Sequence, residues 1–327
     1  MAILVCGGAG YIGSHTVALL KEQGREVIVI DSLYKGHKDA IVSGVKFYQG
    51  DLRDKVFLTE VFSENDIDAI IDFAADSLVG ESVNEPLKYY NNNVYGTLCL
   101  LEVMKVFGVK YIVFSSTAAT FGEPKSCPIL ENADTVPTNP YGETKLTVEK
   151  MLYWCSKAYD FHYTVLRYFN AAGAHMNGQI GEDHNPESHL IPLILQVALG
   201  KRKQIEIFGD DYPTIDGSCV RDYIHVTDLS EAHILALDKM MITGESSTYN
   251  LGNGLGFSVK EVLEVARKVT GHPIPSVISE RRAGDPAILI ASSEKATNEL
   301  NWHPKYNTLE KIIETAWSFH NNHPNGY

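Results

Sequence analysis

Up to about residue 170, short and wholly apolar β-branched runs alternate with longer stretches of helical period; the runs fall at 3–5, 27–30, 45–48, 69–73, 111–115 and 163–167. They lack the every-other-residue polarity of a strand with one wet face, so they read as parallel strands covered by helices on both sides. The order predicts an α/β chain built on a Rossmann-type doubly wound parallel sheet. After Asn170 the rhythm breaks into loops rich in Gly, Pro and Asn at 178–186 and 208–217, with a helix at 191–199. A closing amphipathic helix is expected at 308–319, capped by Thr308. The stretch 220–237 reads as a short strand and a helix that rejoin the first half. The expected division is a Rossmann-type domain over 1–170, with a return segment at about 218–240, and a smaller, discontinuous α+β lobe over 171–327.

Composition narrows the classes. A chain of 327 residues exceeds what one α/β core fills, and 44% hydrophobic with 21% charged residues is that of a globular protein. No apolar run is long enough to cross a bilayer, and the first residues resemble a buried strand more than a secretion signal; a cytoplasmic protein with no membrane role is expected. A net charge of −13 argues against a nucleic-acid partner, because phosphate backbones are bound through Lys and Arg in bulk. An anionic ligand then needs a local cluster of positive groups. The five cysteines, Cys6, Cys99, Cys127, Cys155 and Cys219, are scattered and odd in number, and read as reduced, mostly buried thiols, the remote alternative being metal ligation.

The first strand runs directly into Gly7-Gly8-Ala9-Gly10-Tyr11-Ile12-Gly13, followed by a helical stretch. A turn this tight needs residues tolerant of positive φ, and a diphosphate reaches the amides of a helix N-terminus only where no Cβ intervenes. The plain alternative is a glycine turn that binds nothing, but the strand–turn–helix setting is the one a dinucleotide requires. The next strand ends in Asp31, about 20 residues on, where a carboxylate can take both hydroxyls of an adenosine ribose and repel a 2′-phosphate. NAD is therefore expected over NADP, with Lys35 and Lys38 nearby; the alternative for Asp31 is a turn cap. Asp51, after the third strand, reads either as a turn residue or as a contact to the adenine edge.

The fifth strand ends Ser115-Ser116-Thr117, and Pro140-Tyr141-Gly142-Glu143-Thr144-Lys145 opens a later helix. Positions i and i+4 share a helix face, so the Lys145 ammonium is expected beside the Tyr141 phenol and the nicotinamide ribose. A phenol near pKa ~10 becomes a usable base when a cation and a positive nicotinamide ring favour the phenolate. The spacing alone is weak, since Tyr34 with Lys38 and Tyr153 with Lys157 repeat it. Tyr34 falls in a loop and Tyr153 lies roughly 18 Å further along the helix. Only Tyr141 has Pro at the helix entrance and hydroxyl residues on the preceding strand end.

With these residues in place, the chain resembles the extended short-chain dehydrogenase/reductase family, and within it the enzymes that epimerise UDP-hexoses at C4′. The resemblance covers nearly the whole length: residues 7–15, Phe73-Ala74-Ala75, Val79-Gly80-Glu81-Ser82, Asn92-Asn93-Val94-Tyr95-Gly96-Thr97, 141–145, Arg167-Tyr168-Phe169-Asn170, and in the second lobe Gly181-Glu182-Asp183, 208–214, 220–226, 249–252 and 281–286. It implies interconversion of UDP-galactose and UDP-glucose by transient oxidation at C4′ with tightly held NAD. Tyr141 is implied as the base, Lys145 as its tuner and ribose holder, and Thr117, where relatives commonly have Ser, as the hydroxyl on the 4′ oxygen. Cofactor contacts are implied for Gly7, Gly10, Tyr11, Ile12, Gly13, Asp31, Asp51, Leu52, Phe73, Ala74, Asn92 and Phe169. Substrate contacts are implied for Asn170, Leu190, Phe208, Arg221, Arg282 and Asp285. Arginines suit a diphosphate on an acidic protein, the alternative being surface ion pairs of Arg221 with Asp222 and of Arg282 with Asp285. Many relatives are homodimers, with helices around 94–107 and 145–159 as the implied interface.

Three departures stand out. Asp76-Ser77 replaces a lysine that some relatives place near the cofactor, His189 stands where some have Asn at the sugar-phosphate site, and Leu289 falls where side-chain bulk governs entry of N-acetylated sugars. A nucleotide-sugar 4,6-dehydratase is the nearest rival, but it needs an acid after the active-site Thr, where this chain has Ala118-Ala119. A UDP-uronate decarboxylase and a nonenzymatic NAD sensor are the others; a sensor needs no Thr117, Tyr141 and Lys145 together.

Overall fold

The computed structural model describes residues 1–282 and 286–327. Along the chain the strands are β1 (Ala2–Cys6), β2 (Glu26–Asp31), β3 (Lys46–Gln49), β4 (Ile67–Asp72), β5 (Tyr111–Ser115), β6 (His162–Tyr168), β7 (Asn170–Ala172), β8 (Ile205–Phe208), β9 (Val220–Arg221), β10 (Tyr223–His225), β11 (Ser247–Leu251), β12 (Phe257–Ser258), β13 (Ser276–Ser279) and β14 (Ile288–Leu289). The helices are α1 (Tyr11–Glu22), α2 (Lys55–Ser63), α3 (Val79–Asn84), α4 (Pro86–Tyr89), α5 (Gly96–Phe107), α6 (Pro140–Tyr159), α7 (Leu190–Ala198), α8 (Val226–Thr243), α9 (Val259–Thr270), α10 (Glu294–Leu300) and α11 (Leu309–Asn322), with a π-helical turn at Tyr90–Tyr95.

All six strands expected in the first half are present, and they form a parallel sheet in the order β11-β6-β5-β4-β1-β2-β3. β1 is buried at every position because helices cover both faces, which is why its sequence carries no polar alternation. Alternate residues feed two apolar layers: Leu4, Ile28 and Ile70 pack with Leu100 and Val148 on one side, while Ile3, Val29 and Ile71 pack with Val17 and Leu237 on the other.

The chain returns to this sheet further along than the expected 218–240. α8 packs on α1. β11 then pairs in parallel with β6 as a seventh strand that the sequence pattern did not announce. Trp302, fully buried, donates its indole N–H to the Asp228 carbonyl of α8 at 2.9 Å.

The second lobe carries three small sheets, β10-β7, β12-β9-β14 and β13-β8, beside α7, α9 and α11, which share an apolar centre at Leu195, Val262 and Ile312. The expected helix at 191–199 is α7. Thr308 caps α11 by accepting from the Lys311 amide at 3.3 Å, as its position suggests. The β9 strand joins this lobe, so the expected return segment divides: β9 stays out and α8 goes back.

Candidate active site

Two adjoining cavities, of about 300 and about 370 Å³, open above the carboxyl ends of the sheet strands and share Gly7, Gly10, Lys35, Phe73, Ala75 and Asp76 as walls. Their position is set by the glycine turn. Gly7 has φ +72°, and a Cβ there would lie 2.8 Å from the Ala74 amide nitrogen; at Gly13 it would lie 2.2 Å from the Gly7 carbonyl oxygen. Gly10 caps α1 without a side chain, leaving the first amides of a three-turn helix for a ligand's negative charge.

Asp31 serves the turn and the cavity together. Its carboxylate accepts from the Ala9 amide at 3.0 Å and from the Leu33 amide at 2.8 Å, so the turn-cap alternative is real, yet it also lines the second cavity. Burial pushes its pKa up. Asp51 is held by Arg53 through its side chain and backbone, and lines the same cavity with Leu52, Ala74 and Asn92. Tyr34, set aside on its loop position, also reaches this wall, 63% exposed and away from Tyr141. Tyr153 stays on the outer face of α6 against Trp154.

The first cavity gathers Thr117, Tyr141, Lys145, Phe169 and Asn170 with Tyr11 and Ile12. Asn139 caps α6 by accepting from the Gly142 amide at 2.9 Å, and Pro140 follows at the first helical position, so Tyr141 enters at a fixed angle beneath the end of β5. The Thr117 hydroxyl accepts from the Ala119 amide at 3.1 Å, which leaves its own proton for the Tyr141 phenol. That contact favours phenolate, but burial outweighs it and pushes the phenol up to about 12.

Lys145 departs from expectation. Its ammonium donates to the Ser115 carbonyl at 2.8 Å instead of lying on the phenol, and packs over the Phe114 ring. Burial lowers it to about 8, against the pull of Asp72 and Glu149. Glu149, two turns beyond Tyr141 on α6, accepts from Ser116 at 2.6 Å and from the Arg167 guanidinium at 3.0 and 2.5 Å. Tyr168, whose hydroxyl pairs with Ser115, lines the cavity too; the strand pattern gave no reason to single it out.

The residues expected to hold substrate in the second lobe lie beyond these walls. Leu190 opens α7, and the Arg282 guanidinium stacks 3.9 Å from the Phe208 ring. Arg221 donates to the Val220 and Pro286 carbonyls. Asp222, offered as an ion-pair partner in the alternative reading, is fully buried and takes the amides of Asn253, Gly254 and Ala291. Asp285 lies outside the described residues. His189, noted in the sequence as a departure at the sugar-phosphate site, lines the first cavity together with Glu182 and His184, which the sequence reading did not single out; the signal was a repeated Glu-x-His couplet, Glu182-Asp183-His184 and Glu187-Ser188-His189. The carboxylates of Glu182 and Glu187 raise both imidazoles against the effect of burial, His189 to about 10.

Among known proteins, residues 3–252 match the model of the NAD dependent epimerase/dehydratase family. The chain belongs to that family. An epimerase/dehydratase family member from Halalkalibacterium halodurans, a UDP-glucose 4-epimerase, is 63% identical over all of this chain and 98% of its own length. A crystal structure of a UDP-glucose 4-epimerase superposes with TM-score 0.99 at 60% identity, covering 100% of this chain and 99% of the other. The Bifidobacterium longum UDP-glucose 4-epimerase, solved in complex with NAD+ and UDP, superposes at 0.94 with 42% identity over the full length of both. NAD is accordingly the cofactor of this family member. The two close-packed glycines and the uncapped α1 N-terminus fit its diphosphate, and Asp31 fits its ribose.

Proposed function

We propose that this protein interconverts UDP-galactose and UDP-glucose by reversible oxidation at C4′ of the hexose. The observation that carries the reading is the meeting of the Tyr141 phenol and the Thr117 hydroxyl in a cavity continuous with the glycine turn. When bound, NAD supplies a reversible hydride acceptor and, in its oxidised form, a positive ring near the phenol. Tyr141 takes the 4′-hydroxyl proton, and Thr117 donates to the oxygen that loses it. Because burial alone holds the phenol near 12, loading of the site is what makes Tyr141 a base. Lys145, fixed to Ser115, holds the ribose and lends charge from below.

Gly7, Gly10, Tyr11, Ile12, Gly13, Asp31, Asp51, Leu52, Phe73, Ala74, Asn92 and Phe169 are assigned to the cofactor, and Asn170, Leu190, Phe208, Arg221, Arg282 and Asp285 to the UDP-hexose. The 4,6-dehydratase reading lacks support, since Ala118 and Ala119 follow Thr117 in a 3₁₀ turn that offers no carboxyl group. Among the described residues no helix is long and apolar enough to cross a membrane, and the protein is assigned to the cytoplasm. Exposed apolar side chains on α5 and α6, Leu98, Val106, Tyr153 and Trp154, support a homodimer through these helices. The cofactor domain is taken as 1–170 with α8, β11 and α10, and the remainder as the substrate lobe.

The test supplies UDP-galactose and UDP-N-acetylgalactosamine side by side, with no added reductant. UDP-glucose is expected from the first, and product from the second reports the room beside Leu289. A Tyr141→Phe variant that keeps its NAD and full turnover would remove Tyr141 from the proton path.

A further inference from the structure

The loop between β7 and α7 carries a group of side chains outside the proton path of Tyr141 and Thr117, of which the resemblance places only His189 near the substrate. Glu182, His184, Glu187 and His189 each present one ligand atom, and these four atoms lie within 4.8 Å of one another. The His189 Nδ1 and Glu182 Oε1 atoms are 2.6 Å apart, His184 Nδ1 and Glu182 Oε1 3.2 Å, His189 Nδ1 and Glu187 Oε1 3.4 Å, and His184 Nδ1 and Glu187 Oε2 3.9 Å. Ligands bound at roughly 2.1 Å around a tetrahedral ion stand about 3.4 Å from each other, so the set has the dimensions of a closed coordination shell.

A second observation separates the group from an ordinary surface cluster. Glu182 is only 3% exposed, and its Oε1 and the His189 Nδ1, which are ion-paired 2.6 Å apart, are both sealed from solvent. A carboxylate this buried is held by the imidazole protons, and a cation that displaces those protons meets four ligand atoms already gathered around one point. The loop is also held in place from outside. Glu187 Oε1 accepts from the Ser188 and His189 amides at 2.7 and 2.8 Å, His37 Nε2 bonds the Asp183 carbonyl at 2.9 Å, and the Tyr327 hydroxyl bonds both backbone groups of Gly181. Lys35 donates to the Asn185 carbonyl. The ligands are thus preorganised by backbone contacts that a cation need not supply.

We propose that Glu182, His184, Glu187 and His189 form a binding site for one divalent transition-metal cation of the Zn²⁺ type. Two imidazoles with two carboxylates are a borderline set that suits Zn²⁺ or Co²⁺ and is poor for Mg²⁺ or Ca²⁺, which take oxygen ligands. The role is structural. The loop forms a wall of the first cavity, with His184 edge-on to the Tyr11 ring at 6.2 Å, and a cation ties that wall to the start of α7. Without a cation the same groups make an ion-pair network, and protons and metal compete for the imidazole nitrogens.

The protein with its NAD, stripped with EDTA and dialysed, is titrated with ZnCl₂ by calorimetry and with CoCl₂ by visible absorption near neutral pH. One Zn²⁺ per chain and the d–d bands of four- or five-coordinate Co²⁺ are expected. His184→Gln and Glu187→Gln should each weaken Zn²⁺ binding roughly tenfold or more, while His303→Gln, at an exposed site elsewhere, should leave it unchanged. Absence of one-to-one binding, or wild-type affinity in both loop variants, overturns the proposal. If a variant melts too early to be read, zinc-edge anomalous diffraction from wild-type crystals with equimolar Zn²⁺ decides: a peak among the four side chains upholds the site, and none refutes it.

Discussion

In the first half the polar groups around Tyr141 are locked inside the fold, whereas in the second lobe Arg281 and Arg282 stand on its surface. Thr117, Lys145, Glu149 and Arg167 are all less than a tenth exposed, joined by hydrogen bonds across β5, β6 and α6. Arg281 and Asp211 form an exposed ion pair, and Arg282 is spread on Phe208 at the end of the four-residue strand β8. Buried polar groups hold their geometry because leaving it strands a charge in an apolar medium. Surface arginines can move onto a ligand at little cost. The first region is therefore built for chemistry and the second for recognition, and the two should answer differently to substitution.

The sharpest contrast is catalytic. Tyr141→Phe should lower kcat by roughly 10²–10⁴-fold while bound NAD, counted after denaturation, stays at one per chain. Arg282→Ala should act on KM for the UDP-hexose, raising it roughly tenfold or more through the loss of a charge-assisted hydrogen bond to phosphate, with kcat nearly unchanged. A kcat effect of Arg282→Ala as large as that of Tyr141→Phe would erase the distinction.

Stability should follow the same line. Glu149→Gln leaves Arg167 buried without its partner and should cost about 3–5 kcal/mol in urea unfolding. Glu310→Ala, which removes only the exposed pair with Lys268 at 2.8 Å, should stay within about 1 kcal/mol.

The smallest effect concerns pH. Burial lowers His15, His225 and His233 to about 4, 3 and 4, from 6.5. The unfolded chain then binds more protons between about 4 and 6.5, so this stability is complete above 6.5 and is lost as pH falls. Asp72, raised to about 6 by burial, works in the opposite direction, stabilising below 3.8 and losing that contribution as pH rises through 6. His233→Gln removes one of the three imidazoles, and should therefore reduce the loss of urea midpoint between pH 7 and pH 5 relative to wild type.

Much of the site was legible before folding. Gly7, Gly10, Gly13 and Asp31 announce their cavity because a strand, a turn and a helix are local, and a Cβ at Gly13 has nowhere to go whatever the rest of the chain does. Tyr141 was set apart from Tyr34 and Tyr153 by its Pro and by the strand end before it. Lys145 was placed on the correct helix face but aimed at the phenol, since helical spacing says nothing of the Ser115 carbonyl that captures the ammonium.

What the sequence by itself determined was the six-strand rhythm, the dinucleotide turn, the Tyr/Thr/Lys set and the Thr308 cap of the last helix, all of which depend on neighbours a few residues away or on side-chain period. Tertiary structure alone decided that β11 closes the sheet beside β6, that Trp302 seats under α8, that Arg167 meets Glu149, and that two Glu-x-His couplets turn toward one another. These contacts join parts of the chain whose approach is fixed by packing, and no local preference encodes which distant partner arrives.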